Sequence, residues 1–290
     1  MAVSTDLLII GGSGFVGANL TRAAHHSGLR VAYTYANHKL TLPADSFHVN
    51  LQEASTLEDC LAETKPRNIV HCAIPRGDEG IHQAVSVASI SRIISTLDKS
   101  LTPKLIYVSS NSVFTGDKGQ YREVDIPDAE KRNDEYRTYA ITRATGEQVA
   151  LKKWPNTIVV RTSDVNGKDV HGNLNIRLEK LVSQLKTGQV VQRLDRAYIS
   201  PTLVTNLVNG ILEIIRNEFE YRGVMHIAGS ERISYYEFAR LLAKYIGADT
   251  SLVIPDESKV WDYSLDTSYT QGLLKTKLLN VAEQFRRIFL

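Results

Sequence analysis

Tyr139 and Arg143 stand four residues apart in Tyr139-Ala-Ile-Thr-Arg143. On a helix that spacing places both side chains on one face. A phenol, with an ordinary pKa of about 10, is a poor acid or base at neutral pH unless a nearby cation stabilises its phenolate, a charge Arg143 could supply. About thirty residues earlier, Tyr107-Val-Ser-Ser110-Asn-Ser-Val-Phe114 ends a strand in small polar residues. Near the N-terminus, Gly11-Gly-Ser-Gly14-Phe-Val-Gly17 follows an apolar run and opens a helix. Glycines in that setting let the backbone turn tightly and approach a pyrophosphate, which then sits on free N–H groups at the helix N-terminus. Blander readings stand beside these. The glycines could form a structural turn, Ser109 to Ser112 a polar strand end, and Arg143 could pair with Glu147 one turn on.

The elements that must carry these residues alternate as strands and helices through residue 161, the pattern of a parallel sheet with crossover helices. Strands are expected at Leu7–Ile10, Arg30–Tyr35, Phe47–Asn50, Asn68–Cys72, Lys104–Ser109 and Thr157–Arg161. Helices are expected from Ala18 to Gly28, over Glu53–Thr64, Ile81–Asp98 and Tyr136–Lys153, and the polar stretch Gly116–Glu135 reads as a surface loop. Beyond Arg161 the pattern loosens. Helices are read near Asn175–Lys186, Val204–Glu218 and Ser234–Ile246, strands at Gln189–Arg193 and Gly223–Ile227, and a C-terminal tail of mixed character follows. The expected fold is α/β: a Rossmann-type doubly wound parallel sheet, residues 1–161, with a smaller C-terminal substrate lobe, residues 162–290, some of whose segments return to the Rossmann core.

Composition narrows the function classes. With 34 Lys and Arg against 32 Asp and Glu, the net charge is only +2, too little for binding nucleic acid by bulk phosphate neutralisation, and 43% apolar residues exclude a disordered chain. No nucleic-acid partner and no membrane are expected. The first apolar run is four residues long, too short for a signal core or a membrane span, so a cytoplasmic protein is the default. Cys60 and Cys72 match neither a redox pair nor a zinc knuckle and read as reduced, buried thiols. His25 and His26, with no spaced carboxylate or cysteine, read as the end of a surface helix rather than a metal site, and Tyr235–Tyr245 reads as core.

An NAD-preferring loop presents an acid at the end of the second strand. From Arg30 to Ala44 there is none, and Tyr35 is followed by His38 and Lys39, which would attract a 2′-phosphate. NADP is therefore favoured over NAD, the alternative being that His38 and Lys39 belong to a solvated loop.

Nearly the whole chain resembles the extended short-chain dehydrogenase/reductases, above all their dTDP-4-dehydrorhamnose reductase branch. The likeness lies in the Gly11, Gly14, Gly17 spacing, in Tyr107-Val-Ser-Ser-Asn-Ser-Val-Phe-Thr-Gly116, in Tyr139-Ala-Ile-Thr-Arg-Ala-Thr-Gly-Glu147, in Val160-Arg-Thr-Ser163, in Ser200-Pro-Thr202 and in Ser264-Leu-Asp-Thr-Ser268. The resemblance implies a reductase that uses NADP to reduce a keto group of a nucleotide-activated sugar or a related polar carbonyl compound. Ser110 would bind the carbonyl and Tyr139 would donate the proton as hydride arrives, while Arg143 would hold the nicotinamide ribose. The cofactor would meet Gly11, Ser13, Gly14, Phe15, Val16, Gly17, Tyr35, His38, Lys39, Asn50, Leu51, Ala73, Tyr139 and Arg143. The small-molecule substrate would meet Asn111, Ser112, Asn173, Tyr198 and Thr202, and members of the family often form homodimers. Three positions depart from the branch: Arg143 stands for its lysine, Asn111 for its aspartate and Ser112 for its tyrosine. By resemblance alone, lysine at 143 would hold or raise the rate. The same departures support a second reading, a non-catalytic NADP(H)-binding regulatory or redox-sensing subunit.

Overall fold

The computed structural model describes residues 5–216 and 220–290. The N-terminal Met1 to Ser4 and the end expected for the helix at Glu218 lie outside the described residues. The chain forms two compact units, one holding the chain up to Val113 with Pro127–Arg161 and Ile211–Met225, the other Phe114–Ile126, Thr162–Gly210 and His226–Leu290.

In the first unit, β1 (Leu7–Ile10) leads through the glycine turn to α1 (Phe15–His26), β2 (Val31–Tyr35), β3 (Asp45–His48), α2 (Ala54–Thr64) and β4 (Asn68–His71). Next come α3 (Glu79–Gln83), a π-helical stretch Ala84–Ala88, α4 (Ser89–Thr96), β5 (Lys104–Ser110), α5 (Arg137–Lys153) and β6 (Thr157–Thr162). The seven-stranded sheet runs Gly223–His226, β6, β5, β4, β1, β2, β3. β1 lies parallel between β2 and β4, with Leu8 opposite both Ala32 and Ile69. All four of its side chains are buried, as a central parallel strand covered on both faces requires. Leu8, Ile10, Ile69, Leu105 and Val159 from the sheet pack with Leu57, Ile90, Ile93 and Ala150 from the helices. This is the expected Rossmann-type sheet, and its strand order reverses between β1 and β4, where such folds open a crevice at the C-terminal strand ends.

The second unit has its own core. The helix Ile176–Lys186 contributes Leu178, Leu181 and Leu185, and the helix Tyr235–Tyr245 contributes Ala239, Leu242 and Ala243. Ser234 starts the latter helix with a capping box closed by Glu237. The tail expected to be of mixed character contains a strand, Val253–Asp256, parallel to Val191–Leu194, and a helix, Val281–Phe289, whose Phe285 lies 5.1 Å from Phe238. Asn280 and Glu283 cap that helix in the same way, a sequence signal that the reading passed over.

The stretch Gly116–Glu135 is more ordered than a surface loop. Tyr121 is buried and stacked on Phe114 with ring centroids 3.9 Å apart, and Arg132 is buried. Tyr235–Tyr245 is core only in part, because Tyr235 stays half-buried and donates its hydroxyl to Asp164 at 2.8 Å.

Candidate active site

The glycine turn sits at the β1–β4 reversal. A Cβ on Gly11, whose φ is +79°, would come within 2.6 Å of the Ala73 Cα just beyond β4. One on Gly17 would lie 2.2 Å from the Gly11 carbonyl oxygen. Both glycines are demanded by the chain's own packing. Gly14 is different: its Cβ would meet only the Gly11 oxygen, at 3.4 Å, and the residue is exposed. It is the N-cap of α1, with no side-chain cap and no acid in the first turn. The helix start is thus left electropositive, with backbone N–H groups suited to an anion. Ser13, Phe15 and Val16 lie half-buried around it, and the Thr34 hydroxyl accepts the Gly11 N–H at 2.9 Å.

Along the same strand ends, Tyr35 is half-buried beside His48, with ring centroids 5.6 Å apart, and His38 and Lys39 are exposed on the loop that follows. That loop is fastened at Leu40, which exchanges hydrogen bonds of 3.0 and 3.2 Å with the buried Tyr33 hydroxyl. Asn50 and Leu51 are half-buried; the Asn50 amide donates to Glu53 at 2.8 Å and its side-chain oxygen accepts the Gln52 N–H at 3.1 Å.

β5 ends in Ser110, whose hydroxyl donates to Asn111 Oδ1 at 3.2 Å and accepts the Ser112 N–H at 3.2 Å. Asn111 is buried, and Ser110 and Ser112 are half-buried. The Arg132 guanidinium donates to the Ser112 carbonyl at 3.1 Å and forms an ion pair with Asp134, so it holds the turn that carries all three residues. Arg132 escaped the sequence reading because a buried arginine in a charged stretch looks like any solvated one.

On α5, Tyr139 and Arg143 do share a face. Arg143 is 2% exposed; its Nε–H points at the Tyr139 hydroxyl from 3.5 Å, Nη1 donates to the Tyr107 hydroxyl at 3.0 Å and Nη2 to the Ala73 carbonyl at 2.9 Å. Burial works against its charge, but the Tyr107 and Tyr139 oxygens more than offset that and hold the guanidinium above its ordinary pKa. The alternative of an Arg143–Glu147 pair is overturned, since Glu147 instead takes a buried, two-pronged ion pair from Arg161, with Nη2 at 2.8 Å and Nε 3.1 Å from each oxygen. His82, which the sequence reading did not single out, sets its ring edge-on to Tyr139 at 6.0 Å. Burial pushes the Cys72 thiol, hydrogen-bonded to the Ile10 carbonyl, up to about 12, and the Cys60 thiol likewise, which disfavours the thiolate at both buried positions.

The remaining candidates lie in the second unit. Asn173 is exposed and tied to Asp169 through its N–H at 2.9 Å. Tyr198 is half-buried, with the Arg232 guanidinium stacked 3.5 Å from its ring centroid. Thr202 is a correction to the expected substrate contacts. It is completely buried, and its hydroxyl donates to the Ser200 carbonyl and lies 3.2 Å from the Thr162 hydroxyl, which leaves no surface for a ligand.

A glycine turn at the switch point of a parallel sheet, a strand ending in serines, and a tyrosine and cation on the next helix together have the architecture of the extended short-chain dehydrogenase/reductases. Within that class, the chain belongs to the family described as the RmlD substrate binding domain, which matches residues 5–268. It is 27% identical over 261 residues to the dTDP-4-dehydrorhamnose reductase of Mycobacterium tuberculosis, covering 88% of this chain and 80% of that protein. It is 25% identical over 236 residues to methionine adenosyltransferase 2 subunit beta of Xenopus laevis, covering 76% and 69%. The structure of dTDP-4-dehydrorhamnose reductase from Bacillus anthracis in complex with NADP superposes with a TM-score of 0.80 at 19% identity, over 100% of this chain and 99% of that one, a likeness of fold.

Proposed function

We propose that this protein is a nicotinamide-dependent reductase, with NADPH preferred, that converts a keto group on a nucleotide-activated sugar to an alcohol. The observation that carries the reading is the Tyr139 hydroxyl beside the buried Arg143 guanidinium, in the same compact unit as the glycine turn and the Ser110 strand end. The bound dinucleotide supplies hydride from its nicotinamide. Gly14 and the start of α1 hold its pyrophosphate, and His38 and Lys39 take the 2′-phosphate. Ser110 donates to the substrate oxygen; its proton is free to turn there because Asn111 Oδ1 holds it only through a neutral hydrogen bond of 3.2 Å. Tyr139 gives that oxygen a proton as charge develops on it, and the fixed cation beside the phenol favours the transfer. Substrate-specific contacts are assigned, on the family resemblance, to Asn111 and Ser112 and to Asn173 and Tyr198. The likeness to a reductase over 88% of the chain supports the substrate class.

The test is NADPH oxidation against a panel of keto-sugar nucleotides, for the wild type and Tyr139→Phe. Turnover with at least one, lost by about 100-fold or more in the variant, is expected for a general acid. A second reading, a non-catalytic regulatory subunit, is favoured by Arg143 at the lysine position and by the likeness to the beta subunit of methionine adenosyltransferase 2. Cofactor binding without turnover on any of the panel, in the wild type and in Arg143→Lys, would decide for it.

A further inference from the structure

We propose that Tyr107 is a positioning residue that sets Arg143 against Tyr139, and that the π-helical stretch Ala84–Ala88 exists to hold it there. The kinetic consequence rests on the reductase reading; the geometric claim does not. Tyr107 is completely buried on β5, with the Arg143 guanidinium carbon 5.3 Å from its ring centroid. Its hydroxyl accepts from Arg143 Nη1 at 3.0 Å and donates to the Ser86 carbonyl at 3.3 Å. Both roles of the phenol are thereby used, and its lone pair is aimed at the guanidinium. Ser86 lies within the π-helical stretch, a departure from α-geometry that changes which backbone carbonyls stay within the helix ladder.

α5 meets this point at Gly146. A Cβ there would stand 2.3 Å from the Ser86 oxygen and 2.5 Å from the Tyr107 hydroxyl, so only glycine lets helix, π-turn and strand converge. On its far side Arg143 is held by the Ala73 carbonyl. With two of its nitrogens fixed at 2.9 and 3.0 Å, the third faces Tyr139 at 3.5 Å with little freedom to turn. Tyr107 touches neither cofactor nor substrate in this scheme and acts through Arg143 alone.

Tyr107→Phe removes one oxygen and keeps the ring. Two measurements test it. In the nitrogen-15 spectrum, with arginine Nε–H signals assigned by their loss in Arg143→Lys and Arg161→Lys, the variant is expected to lose or broaden the exchange-protected Arg143 signal while keeping that of Arg161, which is held by its own two-pronged ion pair with Glu147. In turnover, kcat is expected to fall about 10-fold with the KM for NADPH changed less than about 3-fold, the loss of an interaction that matters in the transition state. Gly146→Ala, pressing on the same hydroxyl, is a second variant expected to reproduce the selective loss of the Arg143 signal. Retention of both signals with kcat unchanged overturns the proposal. So does loss of both signals in both variants, which would make Tyr107 a general core residue. If the wild type reduces nothing on the panel, the reductase reading fails, and the two arginine signals still decide the role of Tyr107.

Discussion

Arg143→Lys should weaken this protein rather than restore it. Two buried acceptors, the Tyr107 hydroxyl and the Ala73 carbonyl, are served at 3.0 and 2.9 Å by different nitrogens of one planar guanidinium. An ammonium is a single point donor at the end of a shorter reach and can serve one of them, not both. Each buried acceptor left alone costs about 1–3 kcal/mol, and the space vacated by the guanidinium adds about 1 more. The variant should therefore be less stable by about 2–4 kcal/mol, a drop of roughly 3–7 °C in the calorimetric midpoint for a chain of this size. The contact to Tyr139 loosens with the others, so the rate of NADPH oxidation should fall, opposite to what the resemblance to lysine-bearing relatives implies. A midpoint within about 1 °C of wild type, together with a rate that holds or rises, would refute the reasoning.

Gly17→Ala drives a Cβ to 2.2 Å from the Gly11 carbonyl and should cost about 3 kcal/mol or more, whereas Gly14→Ala meets nothing closer than 3.4 Å and should leave stability within about 1 kcal/mol while weakening NADPH about 10-fold or more. Calorimetric unfolding and titration separate the two, and equal effects on both quantities would contradict the division of roles. Replacing the exposed His38 and Lys39 with alanine should weaken NADPH by roughly 5- to 30-fold and leave NADH unchanged, two exposed contacts of up to about 1 kcal/mol each; a parallel loss for both cofactors would remove the basis for NADP preference. His71 is fully buried, and burial followed by the Arg143 charge draws its imidazole down to about 3. The unfolded chain, titrating at about 6.5, binds the extra proton between those values, so folding stability falls as pH drops below about 6.5, by up to about 1.4 kcal/mol per pH unit. Urea unfolding between about pH 6.5 and 5 should show a loss about 1.6 kcal/mol larger for wild type than for His71→Gln, and identical slopes would show that His71 does not carry it.

The sheet was legible because its central strands are short apolar runs punctuated by glycine and proline, and a parallel strand buried on both faces leaves no other use for Leu7–Ile10. Tyr139 and Arg143 were placed on one face by spacing alone, and the glycine turn by its position after a strand. What stayed hidden depends on tertiary contact. Nothing in the sequence says that Glu147 would look across to Arg161 instead of back along its own helix, or that Arg132 would be drawn beneath the Ser112 carbonyl. Thr202 sits in a segment that resembles a ligand-facing signature, yet its hydroxyl is consumed by Thr162 and Ser200. The π-helical stretch is equally silent in sequence, since Ala-Val-Ser-Val-Ala suits an α-helix and the departure follows from where Ser86 must offer its carbonyl. The capping boxes at Ser234 and Asn280 are both written in the sequence, and Val281, Phe285 and Ile288 after the second stand at helical spacing, a signal overlooked in a tail read as mixed.

The most direct test of the central claim follows the hydride itself. NADPH carrying deuterium on the transferable position of nicotinamide C4 is incubated with the protein and a keto-sugar nucleotide, and the product is analysed by mass spectrometry. A sugar alcohol that carries the deuterium on the former keto carbon is expected, formed by the wild type and not by Tyr139→Phe, with NADPH affinity in the variant within about 3-fold of wild type. Tight NADPH binding with no deuterium transferred to any substrate of the panel would contradict it and leave the protein a dinucleotide-binding subunit.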